Sequence, residues 1–162
     1  GGFDPAYNAQ TAVDEAAHII VAAELDNVAP DANWLLPMIK AVGKNLGELP
    51  ELGLADAGYR SEDNLRNAPI EVVVALGREG KAHAQVDDQR YPHTAAMAAK
   101  LQTDEGRAAY RKRKWIAEPP NGWIKNVLGF RQFSMRGLHR VQAEWKLVCM
   151  ALNLRRMATM AR

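Results

Sequence analysis

Apolar residues recur along this 162-residue chain at two spacings, one suited to strands and one to helices. Residues 7–13 (YNAQTAV) alternate bulky and small side chains and include β-formers, which predicts a strand. Residues 18–25 (HIIVAAEL) form a second apolar run of strand length. Residues 14–17 (DEAA) between them make a tight connection, so the two strands are expected to pair as an antiparallel hairpin, although no Asn-Gly or Asp-Gly pair fixes the turn. Pro30 then breaks the pattern, and Asp31 is placed to cap the N-terminus of a helix. In residues 32–46 the apolar positions Leu35, Met38, Ile39, Val42 and Leu46 follow helical spacing, and Gly47 is a natural stop.

Residues 52–55 read as a short strand that ends at Asp56 and enters a turn at Gly58. Ser61, followed by Asn64 and Leu65, predicts a short capped helix. Residues 70–76 (IEVVVAL) are rich in β-branched residues and form the clearest strand of all. The polar stretch 77–93 holds Gly77, Gly80, His83, His93 and the pair Asp87-Asp88, and reads as a mobile loop. Helical signals run from Thr94 to Trp115, where Pro119 and Pro120 are expected to interrupt them before a further helical stretch to about residue 128. Residues 129–137 (GFRQFSMRG) form a connector. From Leu138, the positions Val141, Trp145, Val148, Leu152 and Leu154 mark a long amphipathic helix reaching at least Met157. The order β-β-α-β-α-β followed by helices predicts a mixed α/β domain, taken as one unit over residues 1–162.

Composition narrows the class without naming a chemistry. The chain is 48% hydrophobic and 25% charged, ordinary values for a globular protein. No apolar run approaches the roughly 20 residues a membrane helix needs, and no secretory signal is visible at the start. Cys149 is the only cysteine, which excludes an internal disulfide and fits a reducing, cytoplasmic setting. The net charge of +2 conceals an asymmetry: residues 1–99 hold 7 Lys/Arg against 15 Asp/Glu, whereas residues 100–162 hold 14 against 4. A basic portion of this kind can attract a polyanion such as DNA. It can equally be a solvated helical surface whose Lys and Arg stems lie over apolar neighbours.

Two carboxylates stand out. Asp56 ends an apolar strand beside a glycine, a setting that suits a hard divalent cation, though turn and cap aspartates are commoner. Glu118 follows the basic run Arg111-Lys112-Arg113-Lys114. As the residue before Pro119 it is expected at a helix break, with both prolines in the first turn of the next helix. There it would face the positive end of that helix's dipole, or simply pair with neighbouring basic residues. Lys125, seven residues on, would lie two turns further along the same face, within reach of a phosphate near a bound metal. The four histidines are scattered and match no zinc spacing; His83 and His93 around Asp87-Asp88 offer at most adventitious metal binding. Trp145, Val148 and Leu152 read as core, and Cys149 as a buried small apolar residue.

The ordered blocks YNAQTAVD (7–14), LADAGYRS (54–61), Glu118-Pro119 with Gly122-Trp123-Ile124-Lys125, LGFRQFSMRGL (128–138), Glu144-Trp145 and ALNLRR (151–156) resemble successive blocks of bacterial DDE-type insertion-sequence transposases. The resemblance covers nearly the whole chain and is weakest across residues 77–96. It implies the C-terminal part of a ribonuclease H-like catalytic domain, a mixed sheet flanked by helices with a long C-terminal helix. It further implies Mg²⁺ or Mn²⁺ held by two aspartates and a glutamate, of which Asp56 matches the second aspartate and Glu118 the glutamate. Two such ions about 3.5–4 Å apart stabilise the attacking and leaving oxygens of an in-line displacement. Water first frees a 3′-hydroxyl, which then attacks target DNA. Lys125 matches a DNA-contacting basic position, and Arg113, Lys114, Arg131 and Arg136 are the further basic candidates for double-stranded DNA. A homodimer that brings two element ends together is also implied.

Two departures from the family pattern bear on activity. The first aspartate belongs to a strand before the block that begins at Tyr7, so that strand and its carboxylate are expected to be missing; Asp4 and Asp14 are available acids, with Asp14 the reserve candidate. Pro120-Asn121 replaces a small aliphatic residue and an aromatic, which is expected to loosen the helix carrying Lys125. The 162 residues alone are therefore expected to show little transposition. A non-catalytic DNA-binding remnant and a nuclease without joining activity are the rival readings.

Overall fold

The computed structural model describes residues 7–77 and 86–162. Asp4, Gly80 and His83 lie outside the described residues. The chain folds as mixed α/β, in the order anticipated from its periodicities: β1 (Asn8–Val13), β2 (Ile20–Asp26), α1 (Leu35–Leu46), β3 (Leu52–Ala55), α2 (Glu62–Asn67), β4 (Glu71–Val74), α3 (Pro92–Lys100), α4 (Asp104–Asn126) and α5 (Leu138–Met160). The strands form two two-stranded sheets, β1-β2 and β3-β4. The chain divides into two compact units, residues 1–29 with 115–162, and residues 30–114.

In the unit of residues 1–29 and 115–162, β1 and β2 form the expected antiparallel hairpin, paired from Asn8↔Asp26 to Ala12↔Ala22 with a register shift before Val13. Asp14 builds the turn: its carboxylate accepts from Ala17 N at 2.8 Å and Ile19 N at 2.6 Å. These side-chain bonds hold the turn locally in the absence of an Asn-Gly pair. His18 follows at φ 56°, an uncommon conformation for a non-glycine residue. α5 lays Val141, Trp145, Cys149 and Leu152 on the hairpin, where they join Ile20, Leu25 and Ile124 in one buried cluster. Each fully buried Val or Leu contributes about 1.5–3 kcal/mol. Asn153 fixes the packing, accepting from Ile20 N at 2.9 Å and donating to Ile20 O at 2.8 Å.

α5 departs from the simple amphipathic pattern. Leu154, one of the positions that predicted the helix, is exposed together with Leu147, Met150 and Met157. The helix is thus apolar on two sides, and only the side bearing Val141, Trp145 and Leu152 meets the hairpin. Cys149 is buried as expected, and burial pushes its thiol up to about 12.

In the unit of residues 30–114, β3 and β4 run parallel, from Leu52↔Glu71 to Ala55↔Val74, with α2 in the crossover. Leu35 and Ile39 of α1 pack with Val72, Val74, Leu76 and Met97 in a second core. Gly47 ends α1 at φ 83°, its N–H donating to Gly43 O, and Ser61 caps α2 by accepting from Asn64 N at 3.0 Å. Both stops follow the sequence expectation.

Two expectations about helix ends are corrected. Asp31 does not cap a helix: it opens a short 3₁₀ turn, Asp31–Trp34, whose N-cap is Pro30, and α1 begins after Trp34 with no side-chain cap. More consequentially, Pro119 and Pro120 do not interrupt the chain, because both lie inside the continuous helix α4. Proline lacks the N–H that would bond the carbonyl four residues back. For Pro119 that carbonyl belongs to Trp115, and the imidazole of His18 replaces the missing donor, with Nε2 at 3.1 Å from Trp115 O. Asn121 lies in the same helix, where its side chain donates to Ala117 O at 3.1 Å, and helical structure continues to Asn126.

Candidate functional site

Asp56 sits where a parallel strand ends, the usual address of functional carboxylates in open α/β sheets. It is half-buried, and its Oδ1 accepts from Gly58 N at 2.9 Å, which caps the 3₁₀ turn Ala57–Tyr59. Arg60 ties the turn to the end of β4, donating from Nη1 to Leu76 O at 2.6 Å. Asn64 is buried below it and donates to Tyr59 O at 2.8 Å and Ala32 O at 2.6 Å. The turn that presents Asp56 is therefore held from both sides by side-chain hydrogen bonds to backbone.

A second carboxylate reaches the same turn. A Cβ built on Gly58 would stand 2.7 Å from Asp31 Oδ2 and 3.1 Å from Asp56 Oδ1. A side chain at this position would push the Asp31 carboxylate aside. Tyr59 registers the pair: burial chiefly, then the charge of Asp31, then that of Asp56, push its hydroxyl well above the ordinary tyrosine range. Sequence reasoning missed Asp31 as a neighbour of Asp56, since the side chain's direction depends on the 3₁₀ turn it opens.

Glu118 lies on α4 and is exposed. It is neither at a helix break nor at a helix N-terminus, so the dipole argument for its placement does not hold. The uninterrupted helix does keep Lys125 on its side, about 10 Å further along at 1.5 Å per residue; Lys125 is exposed in the last turn. Asp56 belongs to the unit of residues 30–114 and Glu118 to the other. Among the described residues, no three His, Cys, Asp or Glu side chains converge as a metal cluster. Asp14, the reserve candidate, is engaged by the hairpin turn.

The basic candidates divide by environment. Arg131 and Arg136 are exposed on the connector between α4 and α5, with Arg131 donating to Asn126 Oδ1 at 3.2 Å. Lys114 is exposed, whereas Arg113 is half-buried, with its guanidinium 5.4 Å from the Tyr110 ring centroid. Glu144 organises the connector by accepting from Ser134 N at 2.8 Å, Ser134 Oγ at 2.6 Å and Met135 N at 3.0 Å. The Ser134 hydrogen bonds hold the Glu144 carboxyl below its ordinary value. Tyr7 accepts from Gly137 N at 3.2 Å, and Trp145 donates to Gln10 O at 3.3 Å. The blocks around Tyr7, Phe133 and Glu144-Trp145, far apart in sequence, thus meet in one place.

Against this geometry, residues 63–158 match the family described as "Transposase DDE domain". The chain belongs to that family. The match includes Glu118, Lys125, Arg131, Arg136 and the Glu144-Trp145 pair, and begins after Asp56. Searches of curated proteins and of solved structures return no match. A transposase-type function follows in general terms, with DNA as the partner class and divalent metal ions as the family's usual cofactors. No helix of this transposase domain, among the described residues, is long and apolar enough to cross a membrane.

Proposed function

We propose that this domain supplies Asp56 and Glu118 as metal-binding carboxylates for cleavage and joining of DNA strands at insertion-sequence ends. The family match spanning Glu118 and Lys125 carries the reading. The donor set fits: carboxylate oxygens are hard ligands, and Mg²⁺ is commonly held by one or two carboxylates with water completing its shell. A bound Mg²⁺ or Mn²⁺ would polarise the phosphodiester and stabilise charge developing on its oxygens. Lys125 holds a phosphate by its ammonium, and Lys114, Arg113, Arg131 and Arg136 add sequence-independent backbone contacts. Two copies acting together would bring two element ends into one reaction.

The basic balance of residues 100–162 favours a second reading, DNA binding without catalysis. A labelled 3′-end assay on the protein of the complete reading frame separates the cases. Joined product that requires both Asp56 and Glu118 supports the reading, and hydrolysis alone identifies a nuclease. Salt-dependent binding with no product, unchanged in Asp56→Ala and Glu118→Ala, identifies the binding remnant.

A further inference from the structure

We propose that Trp115 is a stacking platform for an unpaired nucleobase of bound DNA, one helical turn before Glu118. The inference rests on the reading of this domain as DNA-binding, and it adds a contact that none of the basic residues makes. Trp115 is 62% exposed, whereas a tryptophan side chain is on average largely buried. The indole is braced in that exposed position. His18, itself buried, stands edge-on to it with ring centroids 4.7 Å apart at 70°. His18 Nε2 also lies 3.1 Å from the Trp115 carbonyl, which ties down the backbone that carries the ring. A ring already held in place loses little freedom when a base stacks on it.

The neighbours of Trp115 favour DNA over an apolar protein partner. On α4, Trp115 lies three residues before Glu118 and ten before Lys125. At about 100° and 1.5 Å per residue, the three side chains fall within about 80° around the helix and about 15 Å along it. Gly122 lies on the same side, and a Cβ built there would meet nothing within 4 Å. A strand whose base rests on Trp115 can therefore continue past Glu118 to the Lys125 ammonium. Residues 115–162 hold 8 Lys/Arg against 2 Asp/Glu, a balance that draws a polyanion. Stacking tolerates any sequence because every base has a π-face.

The test is binding of the full 162-residue chain to two labelled duplexes, one blunt and one with an unpaired overhang. The overhang carries 2-aminopurine, whose emission falls when the base stacks. Wild-type protein should prefer the overhang duplex and quench the probe. Trp115→Ala should weaken the overhang complex about five-fold or more relative to the blunt one and leave the probe bright. Trp115→Leu keeps an apolar side chain against His18 without an aromatic face, and it should behave as Trp115→Ala does. Thermal melts accompany the titrations, and the leucine variant decides if the alanine variant fails to fold. Trp115→Phe keeps a smaller aromatic face and should restore part of the quenching. Wild-type affinity and quenching in Trp115→Ala or Trp115→Leu would overturn the stacking role and leave DNA binding standing. Equal loss on both duplexes, or no preference for the overhang in wild-type protein, would do the same. Failure of wild-type protein to bind either duplex would overturn both readings.

Discussion

The imidazole Nε2 of His18 donates to the carbonyl of Trp115 at 3.1 Å, and that carbonyl is the one Pro119 leaves without a helical donor. A residue in the hairpin turn thereby supplies one of the two donors that the helix's prolines leave out. His18 also stands edge-on to Trp115 and Trp123, at centroid distances of 4.7 and 6.0 Å. Its backbone is at φ 56°.

Replacing His18 by Phe keeps an aromatic ring and removes the donor, so the protein should lose about 1–3 kcal/mol of stability in urea unfolding. Pro119→Ala returns an N–H to the Trp115 carbonyl, and in that background the cost of His18→Phe should shrink. A double-mutant cycle should therefore show a coupling above about 0.5 kcal/mol. Strictly additive effects would mean that the two residues do not share the carbonyl.

Acid should destabilise the domain through two glutamates. Glu62 accepts from His93 N at 2.7 Å and from Thr94 N and Oγ1 at 3.0 and 2.7 Å, closing the N-terminus of α3. Desolvation raises its carboxyl, but the hydrogen bonds from His93 and Thr94 outweigh this and hold it below 4.5. Glu144 is lowered by its bonds to Ser134 and Met135. For both, the folded value lies below the unfolded one, so their stabilisation is complete above 4.5 and is lost as pH falls through the folded value. Thermal melts should show Tm falling below that pH, and the double variant Glu62→Gln, Glu144→Gln should flatten the fall. An unchanged slope would assign the acid sensitivity to other groups.

α5 offers an internal control on packing. Leu152 is 2% exposed and Leu154 is 59% exposed. Leu152→Ala should cost about 2–5 kcal/mol, as truncation in a packed core does. Leu154→Ala should stay within about 0.5 kcal/mol, the range of surface changes. Comparable losses at both would show that the outer apolar side is also covered in solution.

Lys125→Ala should weaken DNA binding to a similar degree across sequences and reduce the salt slope of log K by about 1, the signature of one lost phosphate contact. Anisotropy titrations at several salt concentrations measure it. A sequence-selective loss would instead place Lys125 at a base edge.

Local signals made much of this fold legible in the sequence. The hairpin, the Ser61 cap, the Gly47 stop and the strand end at Asp56 each depend on residues within one turn of one another, and each is found where the pattern placed it. The failures involve partners remote in sequence. Pro119 and Pro120 read as a break because the donor that rescues the Trp115 carbonyl lies 97 residues away. Asp31 read as a cap because nothing nearby in sequence discloses that its carboxylate meets the Gly58 turn. Leu154 fits the helical period of α5, yet the helix carries apolar residues on two sides and the period alone does not choose between them. Glu118 reads as a helix start because of the prolines that follow it, and it instead lies inside an unbroken helix, with Lys125 two turns further on.

The most direct test of the account is metal-dependent cleavage by the protein of the complete reading frame on DNA carrying element ends, compared with its Glu118→Gln variant. Wild-type protein should cut only with Mg²⁺ or Mn²⁺, while Glu118→Gln should bind the same DNA with unchanged Kd and cut about 10³-fold or more slowly. Cleavage by Glu118→Gln at the wild-type rate would contradict it.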